Sequence, residues 1–252
     1  MAKILITGSS DGLGRGAAEA LLDDGHSVVV HVRTEARLVA VDDLLERGAE
    51  AVVGDLAHTD QMRDLVRQAN ELGRFDAVIH NAGVLDGSSV LPVNVVAPYL
   101  LTAGMEPPDR LVYLSSGMHR GGRPDLQGIE WSGARASRSY SDSKLFVTTL
   151  MAAVARLWPE VSTHAVDPGW VPTRMGGAGA PDDLRLGHLT QVWLAAGSAP
   201  EAQGTGQYWY HQKVREPHPS VHDHRFQDAL LSSLSEHTGV SIRPEQPAAV
   251  SN

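Results

Sequence analysis

Tyr140 and Lys144 stand four residues apart at the head of a helical pattern, in the run Tyr140-Ser141-Asp142-Ser143-Lys144. That spacing places both side chains on one face of a helix. An ammonium beside a phenol favours the phenolate, so the pair is expected to lower the tyrosine pKa and make it a general acid/base near neutrality. With five tyrosines in the chain, and lysine only at Lys3, Lys144 and Lys213, the pair alone is suggestive. A second group of residues could hold phosphate. Thr7-Gly8-Ser9-Ser10-Asp11-Gly12-Leu13-Gly14 directly follows an apolar run and opens a helical pattern. Gly8 would permit the tight turn, Gly12 the approach of a pyrophosphate, and Gly14 close packing of helix on strand, while the helix N-terminus offers N–H groups to the anion. In a chain of 25 glycines such a turn could be merely structural; its place, after the first strand and before a helix, argues for a dinucleotide.

The second apolar run ends Val28-Val29-Val30-His31-Val32-Arg33. A dinucleotide with a free ribose 2′-hydroxyl calls for an acidic residue there, whereas a 2′-phosphate calls for a cation. Arg33 therefore favours NADP(H), with NAD(H) still possible. Two points weigh against that preference: Arg33 could be an ordinary exposed strand-end arginine, and Asp11 adds a negative charge within the turn.

The elements that would position these groups read as alternating strands and helices. Ile4-Leu5-Ile6 precedes a helix from Gly12 to Leu22, and further strands fit Val28 to Val32, Ala51 to Val53, Asp76 to His80, Leu111 to Leu114, Thr163 to Val166 and Gln207 to Tyr210. Continuous apolar strands separated by crossovers predict an α/β fold: a doubly wound parallel sheet, Rossmann-like, of about seven strands with helices on both faces. One domain over residues 1–242 is expected, with a frayed tail at 243–252 and a mobile loop at Gly176-Gly177-Ala178-Gly179.

Taken with these elements, the two motifs resemble the short-chain dehydrogenase/reductase family, and the likeness runs along nearly the whole chain. In family order, Asp55-Leu56 follows the third strand like the adenine-contacting aspartate, and Asn81-Ala82-Gly83 follows the fourth like the sheet-stabilising motif. Ser116 matches the serine that holds the substrate oxygen, and Asn94 the asparagine that holds a relay water. Pro168-Gly169, with Val171 and Thr173, resembles the segment that seats the nicotinamide amide. The resemblance implies hydride transfer between a nicotinamide and a carbonyl or alcohol, and the mostly apolar residues expected at the pocket favour a small hydrophobic aldehyde, ketone or secondary alcohol. Its catalytic residues would be Asn94, Ser116, Tyr140 and Lys144. Its cofactor site would be Gly8, Ser10, Asp11, Gly12, Leu13, Gly14, Arg33, Asp55, Leu56, Asn81, Ala82, Gly83, Tyr140, Lys144, Pro168, Gly169, Val171 and Thr173. A non-catalytic dinucleotide sensor and a nucleotide-sugar epimerase-type relative are the alternatives.

Two departures bear on the pocket and on assembly. The 23 residues between Ser116 and Tyr140 are more than the commonest family spacing and resemble the retinol-dehydrogenase-like branch. The 12 between Asn81 and Asn94 are fewer than usual, and Pro92 suggests a short helix starting near Ser89. Because that helix commonly packs against another subunit, a monomer or homodimer is expected rather than the tetramer. Met118, His119, Trp131, Trp170 and Met175 are expected to line the pocket. The histidine group His218, His222 and His224 reads as a surface loop, with no metal site.

Composition narrows the classes. With 21 basic and 30 acidic residues the formal charge is −9, which gives no hold on a nucleic acid. Without cysteine there is no disulfide and no thiolate chemistry. No apolar run is long enough to span a membrane, and the first residues already read as a strand, so a soluble, cytoplasmic protein is expected.

Overall fold

The computed structural model describes residues 1–199, 202 and 204–243, so most of the expected frayed tail lies outside the described residues. Seven strands run parallel: β1 (Lys3–Ile6), β2 (Ser27–Val32), β3 (Glu50–Val53), β4 (Ala77–His80), β5 (Arg110–Leu114), β6 (Ser162–Asp167) and β7 (Gln207–Tyr210). An eighth, β8 (Lys213–Arg215), pairs antiparallel with β7, where about seven strands were expected. His211 and Gln212 take left-handed φ of 46° and 58° in the connecting turn. Strand order is β3-β2-β1-β4-β5-β6-β7-β8, so the winding reverses between β1 and β4. The crevice past their C-terminal ends is where such sheets bind ligands.

Alternate residues of each strand feed opposite cores, as a pleat buried on both faces requires. Ile4, Ile6, Val28, Val30, Ile79, Val112 and Leu114 pack with Ala17, Ala18 and Leu21 of α1 (Gly12–Asp23), Leu44 of α2 (Asp42–Glu46) and Leu194 of α6 (Leu184–Ala196). Leu5, Val29, Val78, Leu111 and Tyr113 pack with α3 (Thr59–Glu71), α4 (Ala97–Gly104), α5 (Tyr140–Leu157) and α7 (His224–Thr238). Burying a leucine or valine side chain stabilises by roughly 1.5–3 kcal/mol, so the two layers hold the sheet edge that carries the site.

The segment bearing Asn94 turns helical at Val90, close to the expected Ser89. It then opens into a π turn over Pro92–Val96 before α4, with Ala97 N–H bonded to Pro92 O. Pro98 has no N–H, so the Asn94 carbonyl lacks its ordinary partner four residues on.

Candidate active site

A cavity of about 750 Å³ opens past β1 and β4 and runs from the glycine-rich turn to Tyr140 and Lys144. Its dinucleotide end is shaped by backbone. Gly8 has φ 68°, and a Cβ there would meet Ala82 Cα at 3.0 Å. A Cβ on Gly14 would run into Asn81 and the Gly8 carbonyl, which is the close packing expected of it. Asn81 Nδ2 donates to Thr7 O (2.9 Å) and Gly8 O (3.1 Å), and Ala82 N–H to Thr7 Oγ1 (3.0 Å), stitching the end of β4 to the turn. Asp11 makes no side-chain cap bond at the start of α1, so the first-turn N–H groups of that helix keep their capacity for an anion. Asp55, Leu56, Arg33, Ser10, Leu13, Pro168 and Thr173 line the same cavity.

Arg33 is exposed on the cavity wall and forms no ion pair among the described residues. A second cation, missed in the sequence, lies against the glycine-rich turn. Arg37, in the 3-10 turn Glu35–Val41, donates to Ser10 Oγ (3.2 Å) and lies 3.7 Å from Asp11. Arg174 lies 3.5 Å from the same carboxylate. Two guanidinium groups thus face Asp11, the carboxylate that weighed against a 2′-phosphate.

The chemical end is built on β5 and α5. Ser139 caps α5: its side chain accepts Asp142 N–H (3.1 Å) while the Asp142 carboxylate accepts Ser139 N–H (3.0 Å), fixing Tyr140 as the first helical residue. Asp142 also accepts Arg123 N–H at 2.8 Å, tying the long segment before Tyr140 to the helix start. Ser115 Oγ and Thr148 Oγ1 are bonded at 2.6 Å, aligning β5 with α5. Lys144 Nζ, 5.5 Å from the Tyr140 ring centroid, donates to Leu114 O at 2.7 Å. Ser116 lies near enough to Tyr140 to ease ionisation of its hydroxyl. Ser116 Oγ accepts Met118 N–H at 3.2 Å, which leaves its own proton free to point outward.

The electrostatics differ from the sequence expectation. Burial pushes the Tyr140 hydroxyl up to about 12, with Ser116 opposing and Asp167 reinforcing the rise. Burial brings Lys144 down to about 8 against the pull of Asp167. Desolvation sets the sign, so Tyr140 holds its proton at neutral pH and Lys144 is the group that titrates near it.

The Asn94 side chain is fully engaged by protein, and the pocket places expected for Trp131, His119, Met118 and Trp170 are corrected. Both donors of the Asn94 amide are taken by protein, Nδ2 donating to Val84 O and Ser143 Oγ (both 2.9 Å), and Oδ1 accepts Val84 N–H (2.8 Å). Its side chain is therefore a clamp between the Asn81-Ala82-Gly83 strand end and α5. Trp131 is buried, edge-on to Phe146 with Nε1 bonded to Ser233 Oγ, and does not line the cavity. His119 is fully buried behind Ser116: Nδ1 donates to Ser116 O (2.7 Å) and Nε2 accepts His218 N–H (3.0 Å). Met175 does line the cavity, whereas Met118 and Trp170 are exposed and Trp170 Nε1 donates to Gly176 O. Gly169 and Val171 belong to the β6-end segment, where Gly169 N–H is held by Asp167. His218 accepts Ser220 N–H within its own turn, and no group of three or more His, Cys, Asp or Glu residues comes together among the described residues.

Residues 2–104 match the family model described as short chain dehydrogenase. The short-chain dehydrogenase chyC of Penicillium rubens is 37% identical over 257 residues, spanning 96% of this chain and 99% of that protein. The chain belongs to the short-chain dehydrogenase/reductase family. Solved structures agree on the fold. A protein from Mycobacterium Paratuberculosis matches with a TM-score of 0.79 and 22% identity over 96% of this chain and 94% of that one. A blue fluorescent protein from a metagenomic library, solved in complex with NADPH, matches with a TM-score of 0.66 and 21% identity over 83% and 95%. This short-chain dehydrogenase is thus an oxidoreductase acting on CH–OH or carbonyl groups. Among its described residues no helix is long and apolar enough to cross a membrane.

Proposed function

We propose that this short-chain dehydrogenase is an NADP(H)-preferring reductase of hydrophobic ketones or aldehydes, with Tyr140 as the proton donor. The observation that carries the reading is the convergence of Tyr140 and Lys144, with Ser115 at the end of β5, on one cavity that continues into the glycine-rich turn. The cradle fits a dinucleotide: glycine at positions 8 and 14 where a Cβ would collide, and uncapped N–H groups at the start of α1. Gly8, Gly12, Leu13 and Gly14 would hold the pyrophosphate, Asp55 and Leu56 the adenine, and Asn81, Ala82 and Gly83 the nicotinamide ribose. Arg33 and Arg37 would take a 2′-phosphate, and the NADPH held by the solved neighbour supports that choice. When bound, the nicotinamide supplies or accepts the hydride.

The chain's own residues manage the oxygen and the proton. Ser116, its lone pair engaged by Met118 N–H, donates to the substrate oxygen. Tyr140, protonated at neutral pH, gives its proton to that oxygen as negative charge develops there. Lys144 as an ammonium stabilises the phenolate left behind, so reduction should slow as pH rises through about 8. Asn94 would hold, at its carbonyl, a water that returns the proton. Met175, Leu85, Val84 and Val93 give the substrate end an apolar lining. A panel of ketones and aldehydes followed by loss of NADPH or NADH absorbance tests the reading. Turnover with hydrophobic carbonyls and a preference for NADPH is the expected result; a preference for NADH would overturn the cofactor assignment.

A further inference from the structure

His31 lies within β2, yet its ring is bonded on both sides to segments other than its own strand. Gly8 N–H donates to Nδ1 at 3.0 Å, and Nε2 meets Gly54 O at 2.7 Å. An amide N–H can only donate and a carbonyl can only accept, so the ring is neutral with its proton on Nε2. The backbone doubles the seam. His31 N–H donates to Ser9 Oγ (3.1 Å), Ser9 N–H donates to His31 O (3.2 Å), and the Ser9 hydroxyl donates to Ile6 O. His31 is 4% exposed and lines the cavity beside Gly8, Arg33 and Asp55. The imidazole therefore ties together the turn after β1, the middle of the sheet and the end of β3, the three places that would meet one dinucleotide.

We infer that His31 is a positioning residue for cofactor binding: its Nδ1 holds the Gly8 amide, and through it the glycine-rich turn, in the shape that receives the pyrophosphate. The inference rests on the reading of this cavity as the NADP(H) site. Gly8 sits at φ 68° with Ala82 close against it, so the turn has few alternative shapes once its amide is fixed and more once that amide is released. A protonated ring would present a second donor to Gly8 N–H and lose the bond. Burial holds the ring below its ordinary pKa, opposed by the Gly54 bond and by Asp55 past the end of β3; Arg33 and Asp11 are the next charged groups along the cavity wall. Cofactor affinity should therefore fall in acid, below the ordinary histidine range.

The test is titration of NADPH by its fluorescence against the full chain, with thermal melts to confirm folding. Asparagine reproduces the Nδ1 position of histidine and glutamine the Nε2 position, so the two variants separate the arms. His31→Phe should raise the NADPH Kd about tenfold, the order expected for one unpaired buried amide. His31→Asn should regain most of that affinity, and His31→Gln should not. As pH falls from neutrality through and well below the ordinary histidine pKa of about 6.5, the wild type should lose affinity faster than His31→Asn; the 2′-phosphate titrates alike in both, so their ratio isolates the ring. Equal affinities for the Asn and Gln variants, or a pH-independent ratio, would overturn the inference. If the wild type binds neither NADPH nor NADH, the cofactor reading itself fails.

Discussion

Replacing Lys144 by methionine removes a charge that folding must strip of water, and the enzyme should become more stable as it loses activity. Lys144 is 4% exposed, and burial lowers its pKa from 10.5 to about 8. At ~1.4 kcal/mol per pH unit, that drop means the buried ammonium costs roughly 3 kcal/mol of stability at pH 7. Methionine fills much the same volume but leaves the Leu114 carbonyl without its 2.7 Å donor, a loss of about 1 kcal/mol. The net gain should be about 2 kcal/mol, or roughly 4–8 °C in Tm for a chain of this size. The sign depends on pH in a checkable way. Between about 8 and 10.5 the unfolded lysine binds a proton that the folded one has released, so wild-type stability rises with pH across that window and the variant's does not. Urea melts at pH 7 and pH 9.5 should show the variant's advantage shrinking by about 2 kcal/mol, staying below the range where tyrosines ionise. A variant less stable than wild type at pH 7, or an advantage unchanged at pH 9.5, would refute the reasoning.

Arg37→Ala should weaken NADPH about tenfold while leaving NADH nearly unchanged, as a lost charge-assisted phosphate contact requires; equal losses in fluorescence titrations would count against it. Asp142→Ala leaves the Ser139 and Arg123 amides without their acceptor at the head of α5, so stability should drop by about 2 kcal/mol and kcat should fall more than NADPH affinity, read by melts and kinetics. The chain should sediment as a monomer at micromolar concentration, because Asp142 to Ala155 of α5 are buried by its own Trp131, Phe226 and Leu230; a stable dimer in ultracentrifugation would contradict this.

The sheet was legible because strands buried on both faces, such as Val28–Val32 with its single His31, are nearly continuous β-branched runs that little else explains. The site was legible because Thr7 to Gly14, Asn81 to Gly83, Ser116 and Tyr140-x-x-x-Lys144 occur in one order, and the fold brings the glycine-rich turn, Asn81 to Gly83, Tyr140 and Lys144 to one cavity. β8 was not, since Lys213-Val214-Arg215 is short, exposed and joined by a turn without glycine. Burial was the other blind spot. Spacing shows that an ammonium lies near a phenol, but not that both are dehydrated, and the sign of the Tyr140 shift follows from dehydration. Likewise Trp131 and His119 look like pocket residues until α5, α7 and the His218 segment close over them. Arg37 lies off the strand end in a 3-10 turn, with no period to mark it.

The central claim is that Tyr140 delivers the proton at a site whose dinucleotide end is separately built. Its most direct test is Tyr140→Phe, compared with wild type in steady-state turnover of one accepted carbonyl and in fluorescence titration of NADPH. The hydroxyl acts mainly in the transition state, so turnover should fall by about 10²–10⁴-fold while the NADPH Kd stays within about twofold. A variant keeping more than about a tenth of wild-type turnover would contradict the account, since the step assigned to Tyr140 would then be worth less than ~1.4 kcal/mol.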